Sequence, residues 1–248
     1  MHIKSWFKRA VVVCSSVAIA FGAAPAHSVD AVQLVTDLKS SQANTNIYDA
    51  DGTLTDHIDW AGPQRTAVSV CGTFITMLLK HTYGLTDAQF HAKTGSNSPN
   101  AAKYYDAIGA SSGFTKLQGT DQLIQGDLVA VKYPAGQQSS GHMMLVDGVS
   151  GFQSRVLSTQ TFLANNAEPN VAGFFDVSVI DSSSSYHGKA DTRYTAPGGI
   201  GSGGIFRLFV DSAYQIVGYT WSNDKTSAYK RVADGNLVGL GRLQTTGW

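Results

Sequence analysis

The sequence predicts an α+β fold, with N-terminal helices packed on an antiparallel β-sheet. Three observations predict it. Helical spacing of apolar residues is confined to the first part of the chain, up to Ala110. After Gly113 the pattern changes to short runs rich in apolar and β-branched residues, bounded by turn formers. The two kinds of segment follow one another instead of alternating, which disfavours a parallel βαβ sheet.

The chain opens with Lys4, Lys8 and Arg9, followed by an apolar run over 10–24 and small residues. The run is too short for a stable span of the bilayer. This arrangement predicts a secretory signal peptide over residues 1–28, cleaved at Ala24-Pro25-Ala26 or Ala26-His27-Ser28. The rest, 29–248, suits one domain, exported to the periplasm or secreted, without a stable membrane anchor. The leader carries three of the 18 basic residues and none of the 18 acidic ones, so the remainder has a net charge of −3. That balance gives no electrostatic footprint for nucleic acid, and no polybasic stretch suggests a membrane surface. A monomer is expected.

Residues 29–39 have helical spacing at Ala31, Leu34, Val35 and Leu38. Asp51-Gly52 marks a turn. Over 70–83, Phe74, Met77 and Leu78, with the Ile75–Leu79 pair, recur three and four apart and predict a helix ended by Gly84. Thr86 caps a short helix through His91. Ser98-Pro99 predicts the start of another, with Ser as N-cap and Pro at the first helical position, and a body over 100–110. Strands are expected over 127–133, 142–149, 155–161, 174–181, 205–211, 214–221 and 237–243. Residues 182–185 and 198–204 read as loops. The stretch Gly199-Ile200-Gly201-Ser202-Gly203-Gly204 fits the dinucleotide fingerprint in letters, but a strand-like run follows where a helix should begin, so it reads as a flexible turn.

Cysteine usage carries the first functional signal. Cys14 leaves with the leader, and Cys71 then stands alone in an exported chain, either a reactive thiol or a small buried hydrophobe. It lies at the start of the 70–83 helix, where unpaired amides and the helix dipole favour a thiolate. Gly72 is expected to leave room for a substrate backbone. A thiol nucleophile needs a base, and histidine is the usual one. His81 and His91 read as helix-surface residues. His142 opens an apolar strand after a polar loop, a position that packing explains poorly. The third group should orient the imidazole through its other nitrogen. Strand alternation puts Asp147 on the opposite face from His142. Asp181 ends the face Phe175, Val177, Val179 and could reach His142 if the two strands are neighbours. His187, in the polar stretch Tyr186-His187-Gly188 with Asp191-Thr192-Arg193, is a candidate rim residue of the cleft. No HExxH or Cys-x-x-Cys spacing appears, so neither metal nor cofactor is expected.

Cys71 at a helix start, Gly126-Asp127-Leu128-Val129, then Gly141-His142-Met143-Met144-Leu145-Val146 resembles the NlpC-type branch of the papain-like cysteine peptidases. The related CHAP amidases share the same order. The resemblance runs from about Trp60 to Asp181, with Trp60-Ala61-Gly62 as a loose echo of the family's upstream aromatic-Gly segment. It implies hydrolysis of an amide or peptide bond through a thioester, with cell-wall peptides of peptidoglycan as candidate substrates. By the same resemblance, Gln64 is a candidate oxyanion donor beside the Cys71 amide, and Trp60 a cleft residue. Two other readings stay open: an inactive exported binding module on this fold, and an acyltransferase using the same three residues.

Overall fold

The computed structural model describes residues 23–40, 45–62, 65–157, 163, 168–196 and 198–248. Most of the expected leader, residues 1–22, lies outside them. The first described element, helix α1 (Ala26–Ser40), begins in the last residues of that leader and continues beyond them. Its start is built into the domain: His27 is buried, with ring nitrogens 2.6 Å from the Tyr83 hydroxyl and 2.7 Å from the Gly126 carbonyl. No helix of the described residues is long and apolar enough to cross a membrane.

Three further helices follow: α2 (Cys71–Tyr83), α3 (Asp87–Thr94) and α4 (Ala101–Gly109). Helix α2 forms where the spacing predicts it. Phe74, Ile75, Leu78 and Leu79 are fully buried, each contributing roughly 1.5–3 kcal/mol by leaving water. Gly84 ends it in the left-handed conformation (φ +65°) that favours glycine. Thr86 caps α3 in a capping box with Gln89. The expected Ser98-Pro99 start of α4 is displaced. Asn100 is the N-cap, its side chain accepting from the Lys103 amide, and Pro99 stays outside because its carbonyl packs against Gly72.

A small sheet joins β1 (Asn46–Tyr48), β2 (His57–Ile58) and β3 (Ala67–Ser69), with β3 in the middle. The large sheet holds β4 (Phe114–Lys116), β5 (Leu128–Lys132), β6 (Gly141–Val149), β7 (Gln153–Ser154), β8 (Gly173–Ser183), β9 (Gly199–Val210), β10 (Ile216–Thr220), β11 (Lys230–Arg231) and β12 (Leu237–Leu243). Its order is β11-β10-β9-β8-β6-β5-β12-β4, with β7 beside β8, and every pairing is antiparallel. The expected 155–161 strand does not form as such. Arg155–Leu157 is a 3₁₀ turn, held as the Arg155 guanidinium donates to the Glu168 carbonyl at 2.6 Å; residues 158–162 lie outside the described residues.

Alternation along β5 and β6 sorts their side chains into two cores. Leu128, Ala130, Met143 and Leu145 face α1, α2 and α4. Val129, Val131, Met144 and Val146 face the other way and meet Phe206, Tyr219 of β10 and Leu240 of β12. Strands β10 and β12 stand far apart in the sheet order, so sharing one core means that the sheet curls round on itself. The Gln215 side chain, donating to the Gln118 carbonyl at 3.2 Å, ties the curl. The chain is thus a mixed α+β fold whose helices cover one face of a large curled antiparallel sheet.

Candidate active site

Cys71 is the first residue of α2. Val70 before it is extended and offers no side-chain cap, and the first helical bond runs from Phe74 N–H to the Val70 carbonyl. The amides of Cys71, Gly72 and Thr73 therefore precede the helical ladder and point out of its positive end. Two contacts fix this end. Ser182 Oγ of β8 donates to the Ser69 carbonyl at 2.9 Å, and Thr73 Oγ1 donates to Asp56 at 3.0 Å. Gly72 lines the hollow beside Cys71 and carries a packing constraint as well. A Cβ there would lie 2.7 Å from the Pro99 carbonyl, so Gly72 serves the close approach of the α3–α4 connection.

His142 sits on β6 opposite Val131 of β5. The residue before it must be glycine. Gly141 has φ +139°, and a Cβ on it would fall 1.8 Å from the Val131 carbonyl oxygen. The Gly126-Asp127 pair before β5 is structural too: buried Asp127 is bridged by Arg242 of β12 at 2.8 and 2.9 Å and accepts from the Ile124 amide at 2.9 Å. Strand β8 lies beside β6 and brings Asp181, fully buried, to His142. The His142 Nε2–Asp181 Oδ2 distance is 2.5 Å. That bond uses Nε2, which leaves Nδ1 for Cys71.

Burial pushes the Cys71 thiol up, but the neighbouring His142 imidazolium and the Met143 amide outweigh it and hold the thiol below its ordinary value. Burial opposes charge on His142 as well; the Cys71 thiolate and the Asp181 carboxylate overcome it and raise the ring to about 10. Burial also opposes charge on Asp181, and Arg193, His187 and His142 hold it well below the usual carboxylate range. The consistent state is a thiolate–imidazolium pair backed by a carboxylate.

His187 lines the groove beside His142, as a cleft residue would, and also reaches beneath it. His187 is buried, and its Nε2 lies 2.9 Å from the Asp181 oxygen that also receives His142. The nearby Asp191 and Arg193 are equally buried. Arg193 donates to Asp181 and Asp191 at 2.7 Å each and to the carbonyls of Asp181 and Gly199. This ion cluster escaped the reading of the sequence. Its signal was the density of polar residues over 186–193, which a solvated loop would share. Trp60 lies elsewhere: it stacks on His81 in the last turn of α2, ring centroids 4.2 Å apart, roughly 15 Å along the helix from Cys71. Gln64 lies outside the described residues.

Two hollows open at the dyad. One, of about 460 Å³, is lined by Cys71, Gly72, Asp51, Asn100 and Gln138. The other, of about 350 Å³, is lined by His142, His187, Tyr133, Tyr186 and Trp221. Tyr48, Ser139 and Gly141 border both, so the pair sits at the waist of a groove. Burial, with a smaller contribution from the Cys71 charge, raises the Tyr48 and Tyr133 phenols to about 12, so both remain neutral donors. His142, Asp181 and His187 could each offer one atom to a metal ion, the three atoms lying within 4.8 Å of one another. However, Asp181 already accepts from both imidazoles and from Arg193, whose cation 2.7 Å away opposes a second positive charge.

No family model matches the chain, and no solved structure matches it. It is similar to an uncharacterized protein of Acanthamoeba polyphaga mimivirus, 29% identical over 181 residues that span 68% of this chain and 78% of the viral one.

Proposed function

We propose that the chain is a cysteine hydrolase that cleaves amide or peptide bonds through a thioester, on a papain-like, NlpC-type arrangement. The observation that carries this reading is the alignment of Cys71, His142 and Asp181 at the waist of the groove, with Nε2 of the ring held 2.5 Å from the carboxylate. A substrate bound across the groove presents its carbonyl carbon to the Cys71 sulfur. The thiolate attacks, and the carbonyl oxygen takes up negative charge over the Cys71 amide at the helix N-terminus. The His142 imidazolium gives its proton to the leaving amine, the C–N bond breaks, and a thioester remains. The neutral ring then takes a proton from water. The hydroxide attacks the thioester, the C–S bond breaks, and the acid product leaves a restored thiolate–imidazolium pair. Asp181 keeps its charge throughout and holds the ring orientation.

The export signal read over 1–28 points to a substrate outside the cytoplasm, and cell-wall peptide is the candidate with which to begin. Purified peptidoglycan incubated with the protein should release new amino termini. Cys71→Ala and His142→Ala should each abolish most of that release, and the double variant should be little worse than either, because the two residues act as a unit. Asp181→Asn should cost roughly 10³–10⁴ in rate, through a misoriented ring. Full activity of Cys71→Ala would make the thiol structural and place the chemistry at an unrelated site; no release even by the wild type would favour the binding-module reading.

A further inference from the structure

His187 is held by two groups that can only accept a hydrogen bond. Its Nδ1 lies 2.9 Å from the Trp221 carbonyl oxygen, and its Nε2 lies 2.9 Å from Asp181 Oδ2. A neutral imidazole has one N–H and could satisfy only one of them. The alternative, a proton on Asp181, is opposed by Arg193, 2.7 Å from the other carboxylate oxygen. We propose that His187 is a buried imidazolium at neutral pH which, with Arg193, clamps Asp181 as an anion and positions the carboxylate against His142. The inference rests on the reading of Cys71 and His142 as the reacting pair; the role assigned to His187 is to act on that pair through Asp181.

The surroundings are charge-balanced around this assignment. Facing His187 are His142 from β6, Asp181 from β8, and Asp191 and Arg193 from its own loop. Two carboxylates thus stand against the His187 and Arg193 cations, while Cys71 and His142 neutralise each other. Asp191 also accepts from the His187 backbone amide at 2.8 Å, and the Trp221 ring lies against both imidazoles. The fold makes room for this cluster. A Cβ on Gly201 would meet Arg193 Nε at 2.4 Å, and one on Gly204 would meet both Asp191 and His187 at 2.6 Å. The glycine run of β9 is the flat bed on which the 187–193 loop lies.

Two measurements test this on the full chain. In ¹⁵N NMR of the histidine-labelled wild type at neutral pH, both ring nitrogens of His187 should carry protons. A bare ring nitrogen on His187 would overturn the assignment, and this readout needs no variant to fold. Second, the pH dependence of Cys71 alkylation by iodoacetamide should move in His187→Gln. Removing a cation makes loss of the thiol proton harder, so the acid limb shifts to higher pH and the rate near pH ~6 falls roughly two- to tenfold. A folded His187→Gln with an unmoved profile would leave His187 as packing and refute the positioning role. A wild type alkylated no faster than a free thiol would instead remove the reacting pair, and the positioning role with it, whatever the NMR gives.

Discussion

At the scale of the residue, the site is an exercise in where one proton sits. Folding moves it from the Cys71 sulfur to the His142 ring. Taken singly, the depressed thiol contributes stability above its unfolded value of about 9, lost as pH falls through the folded value. The raised imidazole contributes stability below its unfolded value of 6.5, lost as pH rises through about 10. Together they make a plateau. Between 6.5 and 9 both the folded and the unfolded pair hold one proton, so the pair adds no pH dependence. Below 6.5 the unfolded pair holds the extra proton, and stability falls with acid. Above 9 the folded pair holds it, and stability falls with alkali until His142 titrates. Urea denaturation across this range, taken as wild type minus Cys71→Ala/His142→Ala, should therefore give a dome with a flat top. A slope in that difference between 6.5 and 9 would mean that the folded pair does not hold one proton there. The cysteine and the histidine were legible in the sequence because each occupies a position that packing explains poorly. Asp191 and Arg193 were visible only as a polar stretch, with His187 in it as a cleft candidate, since their burial is decided by the packing of that stretch on β9.

At the scale of the element, glycine decides where His142 stands. Gly141 brings β6 so close to the Val131 carbonyl that only a hydrogen fits, and His142 follows directly. Gly141→Ala should therefore cost several kcal/mol, through backbone strain at φ +139° and a forced shift of β6. It should also reduce Cys71 reactivity at neutral pH more than unfolding explains. Thermal unfolding read beside iodoacetamide reactivity checks both; a variant that keeps wild-type stability and reactivity would place the reason for Gly141 elsewhere. The glycines of β9 had a different fate. In the sequence they look like a flexible turn, because glycine weakens a strand through entropy and a missing side chain. What outweighs that here is the loop packed on the strand, a reason that exists only once 187–193 and 199–204 are face to face. The N-cap of α4 was likewise misread at Ser98, because the demand of Gly72 on the Pro99 carbonyl is not local.

At the scale of the whole molecule, the curled sheet and the helices have separate duties. The helices, anchored by Phe74, Ile75 and Leu78, deliver Cys71 from one face of the sheet. His142 and Asp181 arrive from the other face, beside the core formed by Val129, Met144, Val179 and Phe206. The pair meets where the first turn of α2 reaches the Gly141 end of β6, and the groove crosses that junction. The order of helices before strands was enough to read this division of the chain, while the curl of the sheet was not, because nothing local says which strands share a core. The central claim is that this junction makes a thiolate. The most direct test is the pH titration of the thiolate ultraviolet absorbance, taken as wild type minus Cys71→Ser, with His142→Ala beside it. The account predicts a thiolate that forms below the ordinary thiol range in the wild type and a shift toward ordinary thiol behaviour in His142→Ala. A wild-type signal that appears only near 9, the ordinary thiol value, and is indifferent to His142, would contradict it.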